Sequence, residues 1–166
     1  SQPRPLAAPA APDEKMTTVD DVLEVSEVVA ALERHAHHNG VTFDLVRRLA
    51  SLTDVAYNAR YVATAARGVL GVLAVMQRHA FDERVQAYGL LCVGNVLLTA
   101  CDERERLHDD TMCAALRERC APPHALVRTV HAIMRHHRER AAVQCYALHA
   151  LSGAARCGAP FAEHCV

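Results

Sequence analysis

One motif recurs three times and limits what this chain can fold into. Met76-Gln77-Arg78-His79 is followed by Val85-Gln86-Ala87-Tyr88. Met134-Arg135-His136-His137 is followed by Val143-Gln144-Cys145-Tyr146. A weaker copy reads Leu32-Glu33-Arg34-His35, then Val41. The offsets between copies are 44 and 58 residues. Self-similarity at such periods is the mark of a repeat architecture, in which each unit buries its apolar face only against its neighbours. Stacked helical repeats usually present a surface and seldom build a reaction centre, so the motif turns the question from catalysis to binding.

The apolar half of the composition is Ala, Val and Leu, with 4% aromatic residues and no Trp. That mixture favours packed helices over a β-sandwich, which would draw on aromatic and β-branched strands. A length of 166 residues suits one domain with a sizeable core. The formal net charge is −1, unlike the strongly basic balance of a nucleic-acid binder, and no nucleic-acid partner is expected. Seven cysteines make an odd number with no CxxC pair. Several of them (Cys92, Cys113, Cys145) sit inside helical patterns, where a thiol behaves as a small hydrophobe. A secreted disulfide framework is disfavoured, and an intracellular, reducing compartment, first of all the cytoplasm, is expected. The charge-free run Val85–Cys101 is short for a membrane span and reads as a buried helix.

Residues 1–16 carry prolines among alanines without period and read as an extended tail. From 17 to 157 the punctuation is helical throughout. Thr18-Val19-Asp20-Asp21 resembles a capping box before the apolar stripe Val22, Val25, Val28, Val29, Leu32, and Asn39-Gly40 should stop that helix. Further helices are expected over 42–52, 54–66 (capped by Asp54), 69–79, 82–101 (capped by Asp82), 109–120, 122–137 (opened by Pro122-Pro123) and 139–157. Residues 158–166 form an irregular tail. The helices group into units of short, middle and long member, with only the last two members in the first unit.

This unit resembles the armadillo repeat. The likeness rests on Val69-Leu70-Gly71-Val72-Leu73-Ala74-Val75-Met76, His79, Val85-Gln86, Leu90, Leu91, Val93, Gly94 and Asn95. In the last copy it rests on Val127, Val130, Ile133, Met134, His137, Val143-Gln144, Ala147, Leu148 and Leu151. The resemblance covers residues 17–157 and implies an all-α superhelix of armadillo/HEAT type, whose long helices line a groove. In that family Asn residues on the long helices bind an extended peptide. Asn95 matches that position, Ser51 and Gly153 stand at the corresponding places, and Cys92 and His149 lie beside them. The expected partner is a protein, either an extended peptide or a larger assembly.

The two long helices add a further expectation. Val85–Cys101 and Ala141–Ala155 contain no charged residue, whereas a helix at a solvated groove keeps a polar stripe. Burial on more than one side, or docking against a partner segment or against this chain's own Pro-rich tail, follows. The histidines at 35, 37, 38, 79, 136 and 137 fall at the ends of the middle helices, where imidazoles complement the helix dipole and bond free carbonyls. Cys145 and His149, four apart on one face, supply two thiophilic ligands where a structural zinc site wants four. No metal or cofactor is therefore expected. Local catalytic signatures such as GxSxG, HExxH or a phosphate-binding glycine loop are absent, so no enzyme activity is expected. Arg135, Arg138 and Arg140 form the densest basic edge and are the candidates for contact with an acidic partner.

Overall fold

The computed structural model describes residues 19–120 and 124–158, and it is helical throughout these residues. The tail over 1–16, the Pro122-Pro123 break and most of the tail over 158–166 lie outside the described residues. Eight helices follow one another: α1 Val19–Arg34, α2 Asn39–Leu52, α3 Ala56–Thr64, α4 Gly68–Arg78, α5 Glu83–Leu107, α6 Thr111–Arg119, α7 His124–His136 and α8 Ala141–Arg156. Every helix expected from sequence is present. Three of their ends are not where the sequence placed them.

Asn39-Gly40 does not stop the first helix but opens the second. α1 ends at Arg34, and Thr42 Oγ1 then donates to the His35 carbonyl at 2.8 Å, which satisfies one of the carbonyls left open there. Asp54 is not the cap of α3, since that position falls to Val55. The long helix α5 continues beyond Cys101 through the charged stretch to Leu107, and His108 closes it at φ 54°. The extension is held by ion pairs. Arg156 reaches Asp102 and Glu105, each at 2.9 Å, and Arg60 of α3 reaches Glu103 at 2.6 Å and Asp109 at 2.9 Å. Charged residues with good helix propensity, once paired to neighbouring helices, have no reason to break.

The Asp82 cap is as expected, its carboxylate accepting from the backbone N–H of Arg84 and Val85. The corner between α3 and α4 bends by 79°. Gly68 sits in it so close to the Val62 carbonyl that a Cβ would collide with backbone. Val46, Leu49, Val62, Val72, Met76, Leu90, Leu97, Met112, Val127 and Val143 form part of one continuous core.

The long helix α5 lies against α2 on one side and, most extensively, against α8 on the other. α3 packs on α6, and α1 packs on α4. By length and composition α5 could cross a membrane, but two-thirds of its apolar window is buried against its own neighbours, the position of a core helix.

The recurring motif is a clasp made twice over. Gln86 Nε2 donates to the carbonyls of Met76 (2.8 Å) and His79 (2.9 Å), and Gln144 Nε2 donates to those of Met134 (2.9 Å) and His137 (3.1 Å). Each glutamine thus closes the carbonyl end of the middle helix before it. In the first copy Thr42, the counterpart of Gln86, closes His35 in the same way. The histidines do something the sequence did not disclose. His79 Nε2–H donates to the Ala36 carbonyl, and His137 Nε2–H donates to the Ala80 carbonyl, both at 2.8 Å. Ala36 and Ala80 each follow the motif histidine of the preceding copy. The ring therefore ties one copy to the one before it. Both rings are buried, so these bonds are shielded from water and stay made.

Candidate functional site

The candidate groove residues lie along the seams between long helices. Asn95, half-buried on α5, donates from Nδ2 to the Ala50 carbonyl at 3.3 Å and to Thr53 Oγ1 at 3.4 Å, both at the end of α2. Its Oδ1 accepts from His149 Nε2–H on α8 at 3.0 Å. One amide thus joins three long helices. Both amide hydrogens face this chain rather than an open groove. Burial lowers the pKa of His149, which keeps its ring neutral and able to hold that bond.

Cys92 is fully buried beside Thr53, and burial pushes its thiol up to about 12, so it is an inert packing residue. Gly153 is buried where α8 meets α5, and a Cβ there would come within 2.6 Å of the Leu97 Cβ. Gly94 of α5 performs the same service in reverse, because a Cβ on it would strike the His149 ring. Ser51, at the corresponding place on α2, is exposed. Asn95 and Gly153 are therefore the faces by which a long helix receives its predecessor.

The opposite face of each long helix carries the more informative pattern. Val46, Ala50 and Thr53 on α2 are buried. Their counterparts Leu90, Gly94 and Leu97 on α5 are buried too, with Gly94 and Leu97 against α8. The third set, Leu148, Ser152 and Ala155 on α8, is exposed, and Leu148 has 59% of its surface in solvent. Ala141 and Cys145 extend the strip, which contains no charge over five positions. An all-uncharged outer strip on a helix is unusual in water.

Two hollows flank Tyr88 on the long helices. One cavity of about 370 Å³ lies between α2 and α5, lined by Arg47, Arg48, Ala50, Ser51, Tyr88 and Leu91. Another of about 310 Å³ lies between the starts of α5 and α8, where Arg84, Tyr88, Arg140 and Ala142 are among its walls. The Tyr88 ring stands edge-on to Phe43 of α2 at 5.8 Å, and the Arg84 guanidinium lies over Phe43 at 4.5 Å. On the middle-helix side a cavity of about 400 Å³ opens between α4 and α7, lined by Met76, Gln77, Ala80, Gln86, Thr129, Ala132, Ile133 and His136.

The basic edge is exposed and partly engaged. Arg140 pairs with Glu83 at 2.6 Å across to α5, and Arg138 pairs with Glu139 at 3.5 Å, while Arg135 is exposed in the last turn of α7.

One cluster was not foreseen. Cys101 from the last third of α5, Cys113 from α6 and Cys157 at the end of α8 gather their sulfurs within 4.8 Å of one another, all three fully buried. The three come from three helices at no motif spacing, so local sequence has no signal for them. Arg104 and Arg117 hold the same spot closed, donating to the Cys157 carbonyl at 3.0 and 3.3 Å. Gly158, at φ 122°, turns the chain beside them.

No family model, no curated protein and no solved structure matches this chain.

Proposed function

We propose that this chain is a non-catalytic assembly subunit, an armadillo-like superhelix of stacked helical copies whose last long helix receives a protein partner. One observation carries the reading. The strip Leu148–Ser152–Ala155 stands in the register that on α2 and α5 is covered by the next long helix. Its uncharged surface is what a further packed helix requires, and water gains nothing from it. The mechanism is shape and burial, with no covalent step. Five of the six free cysteines among the described residues are buried, which fits an intracellular setting.

Native size fractionation of cell extract, with this chain followed by mass spectrometry, tests the proposal. The chain is expected in a particle well above its own mass. Leu148→Arg, which places a charge in the strip, is expected to release it as a folded monomer. Migration of the unaltered chain at its own mass would sink the reading, as would undisturbed assembly of the arginine variant.

A second reading has its own observation in the two hollows flanking Tyr88. An extended peptide laid across the long helices would fill both, with Arg135, Arg138 and Arg140 meeting acidic residues at its end. In this reading Asn95 contributes little, because its amide hydrogens are taken. Tyr88→Ala should then abolish capture of the peptide while Leu148→Arg leaves it intact. Reversal of all three arginines to Glu without loss of affinity would remove the basic edge from the account.

A further inference from the structure

The geometry points to Cys101 and Cys157 as a thiol pair that peroxide converts to a disulfide, locking the end of α8 onto α5. Their sulfurs lie 3.1 Å apart, and Cys113 Sγ lies 3.7 Å from Cys157 Sγ. A covalent bond needs about 2.05 Å, so the sulfurs have to close by roughly 1 Å. The site is a sealed one. All three sulfurs are fully buried, and each lies 3.4 Å from a backbone carbonyl oxygen: Cys101 from Gly153, Cys113 from Ala100 and Cys157 from Leu97.

That environment decides between two chemistries open to a thiol trio. A divalent metal held by three thiolates would leave one net negative charge beside three carbonyl oxygens, with no water to screen it. It would also lack the fourth ligand of a structural zinc site, since no other His, Cys, Asp or Glu joins the group among the described residues. A disulfide is neutral and needs none of this. The bonds that these S–H groups make, to a carbonyl or to one another, are weak, so little is lost.

The roles within the pair differ. Cys101 is the member that ionises first, because the Cys157 thiol donates to it and Arg156 and Arg104 lie close; Cys157 stays protonated against it. The Cys101 thiolate attacks one oxygen of hydrogen peroxide. The O–O bond breaks, hydroxide leaves and takes up the Cys101 proton as water, and a sulfenic acid remains. The Cys157 sulfur then attacks the Cys101 sulfur. The S–O bond breaks, the S–S bond forms, and the departing hydroxide leaves as water with the Cys157 proton. Two thiols have given up two protons and two electrons, and one peroxide has become two waters. Peroxide is scarcely larger than water, and Cys157 sits just past the last turn of α8, so a brief opening of that helix end, against the bonds from Arg104 and Arg117, admits it. In a reducing compartment the pair rests as thiols, and oxidation is transient.

The test treats the full purified chain, fully reduced, with hydrogen peroxide and then alkylates it under denaturing conditions. The intact mass is expected to fall by two hydrogens, and alkylatable thiols to fall from seven to five. Peptide mapping should join Cys101 to Cys157, and dithiothreitol should restore both. Cys113→Ser should keep that link, and Cys157→Ser should lose it. Should a variant not fold, by circular dichroism, mapping of the unaltered chain decides alone. Oxidation confined to the exposed Cys145 with the trio still alkylatable overturns the proposal, and so does a stoichiometric metal ion that must be chelated before the trio reacts.

Discussion

The first and last long helices meet solvent in opposite ways. The outer face of α2 shows Asp44, Arg47, Arg48 and Ser51, with Arg47 paired to Asp44 and Arg48 to Glu24. The outer strip of α8 shows Ala141, Cys145, Leu148, Ser152 and Ala155. A stack of helical units needs a polar end wherever it stops and an apolar face wherever it continues. α2 has the chemistry of the former and α8 the chemistry of the latter. The difference teaches direction: in the proposed stack, α8 is the end left open to a neighbour and α2 the end that is closed.

The largest test of this contrast uses two leucines in one register. Leu90 of α5 is fully buried and Leu148 of α8 largely exposed. Leu90→Ala removes buried methyl groups and leaves a cavity, at a cost of about 2–5 kcal/mol. Leu148→Ala should stay within about 0.5 kcal/mol in the isolated chain. Urea denaturation of both variants measures the difference. Equal losses would mean that α8 is covered by something within this chain, and the contrast between the ends would collapse.

The clasp gives the next effect in size. Gln86→Ala strips the donors from the Met76 and His79 carbonyls in a buried setting. Leaving buried acceptors open costs about 1–3 kcal/mol. Gln144→Ala removes the same pair of bonds from a half-buried position, where water can replace them. The expected loss there is smaller, under about 1 kcal/mol. Thermal unfolding in parallel would show whether the later copy, next to the open face, is the more forgiving one.

What the sequence could show of this molecule follows from the range of each signal. Helix number and order came from punctuation such as Asp82 and from apolar spacing, all local. Asn39-Gly40 misled because glycine tolerates both a helix stop and a helix start, and packing of α2 chose the start. The charged run after Cys101 looked like a loop only because its partners, Arg60 and Arg156, lie far away in the chain. The motif histidines were placed at helix ends correctly. Their acceptors, however, belong to the preceding copy, and only the tertiary stack brings the two together. Asn95 was legible as a distinctive residue on α5, but not as one already spent on Ala50, Thr53 and His149. The cysteine trio was illegible altogether, because it obeys no spacing.

A third substitution pair should give opposite signs at equivalent positions. Gly94→Ala would press a methyl into the His149 ring. Overpacking costs about 1–3 kcal/mol, against about 0.5–1 kcal/mol gained when alanine replaces a helical glycine. A net loss of about 1 kcal/mol is expected. Ser152→Ala meets solvent instead and should gain a few tenths of a kcal/mol, roughly its difference in helix propensity. A gain at both positions, read from denaturation midpoints, would mean that the α5–α8 seam gives way more readily than its packing implies.

The smallest expected effect is a pH dependence confined to that seam. Burial lowers the pKa of His149 in the folded chain, so the unfolded chain binds its proton more readily. Stability from this group is complete above the ordinary histidine pKa of about 6.5 and declines as pH falls through and below it. The Asp109 carboxylate behaves differently. Hydrogen bonds from Thr111, with Arg60 adding, hold it down to about 2, so its contribution is complete above the usual carboxylate range and is lost as pH falls from there through about 2. Between pH 7.5 and 5.5 the His149 contribution should move and the Asp109 contribution should not. Replacing His149 by Gln, which can still donate to Asn95 Oδ1 but does not titrate, should flatten the change in unfolding midpoint over that window, while Asp109→Asn leaves it in place. The α2–α5 seam carries no such imidazole, because Leu91 of α5 stands at the position that His149 takes on α8. Loss of stability from the α2–α5 seam under mild acid, seen by hydrogen exchange on Ala50 and Thr53 with the α5–α8 seam unchanged, would reverse the assignment. It would make the charged end, rather than the open one, the sensitive end of the array.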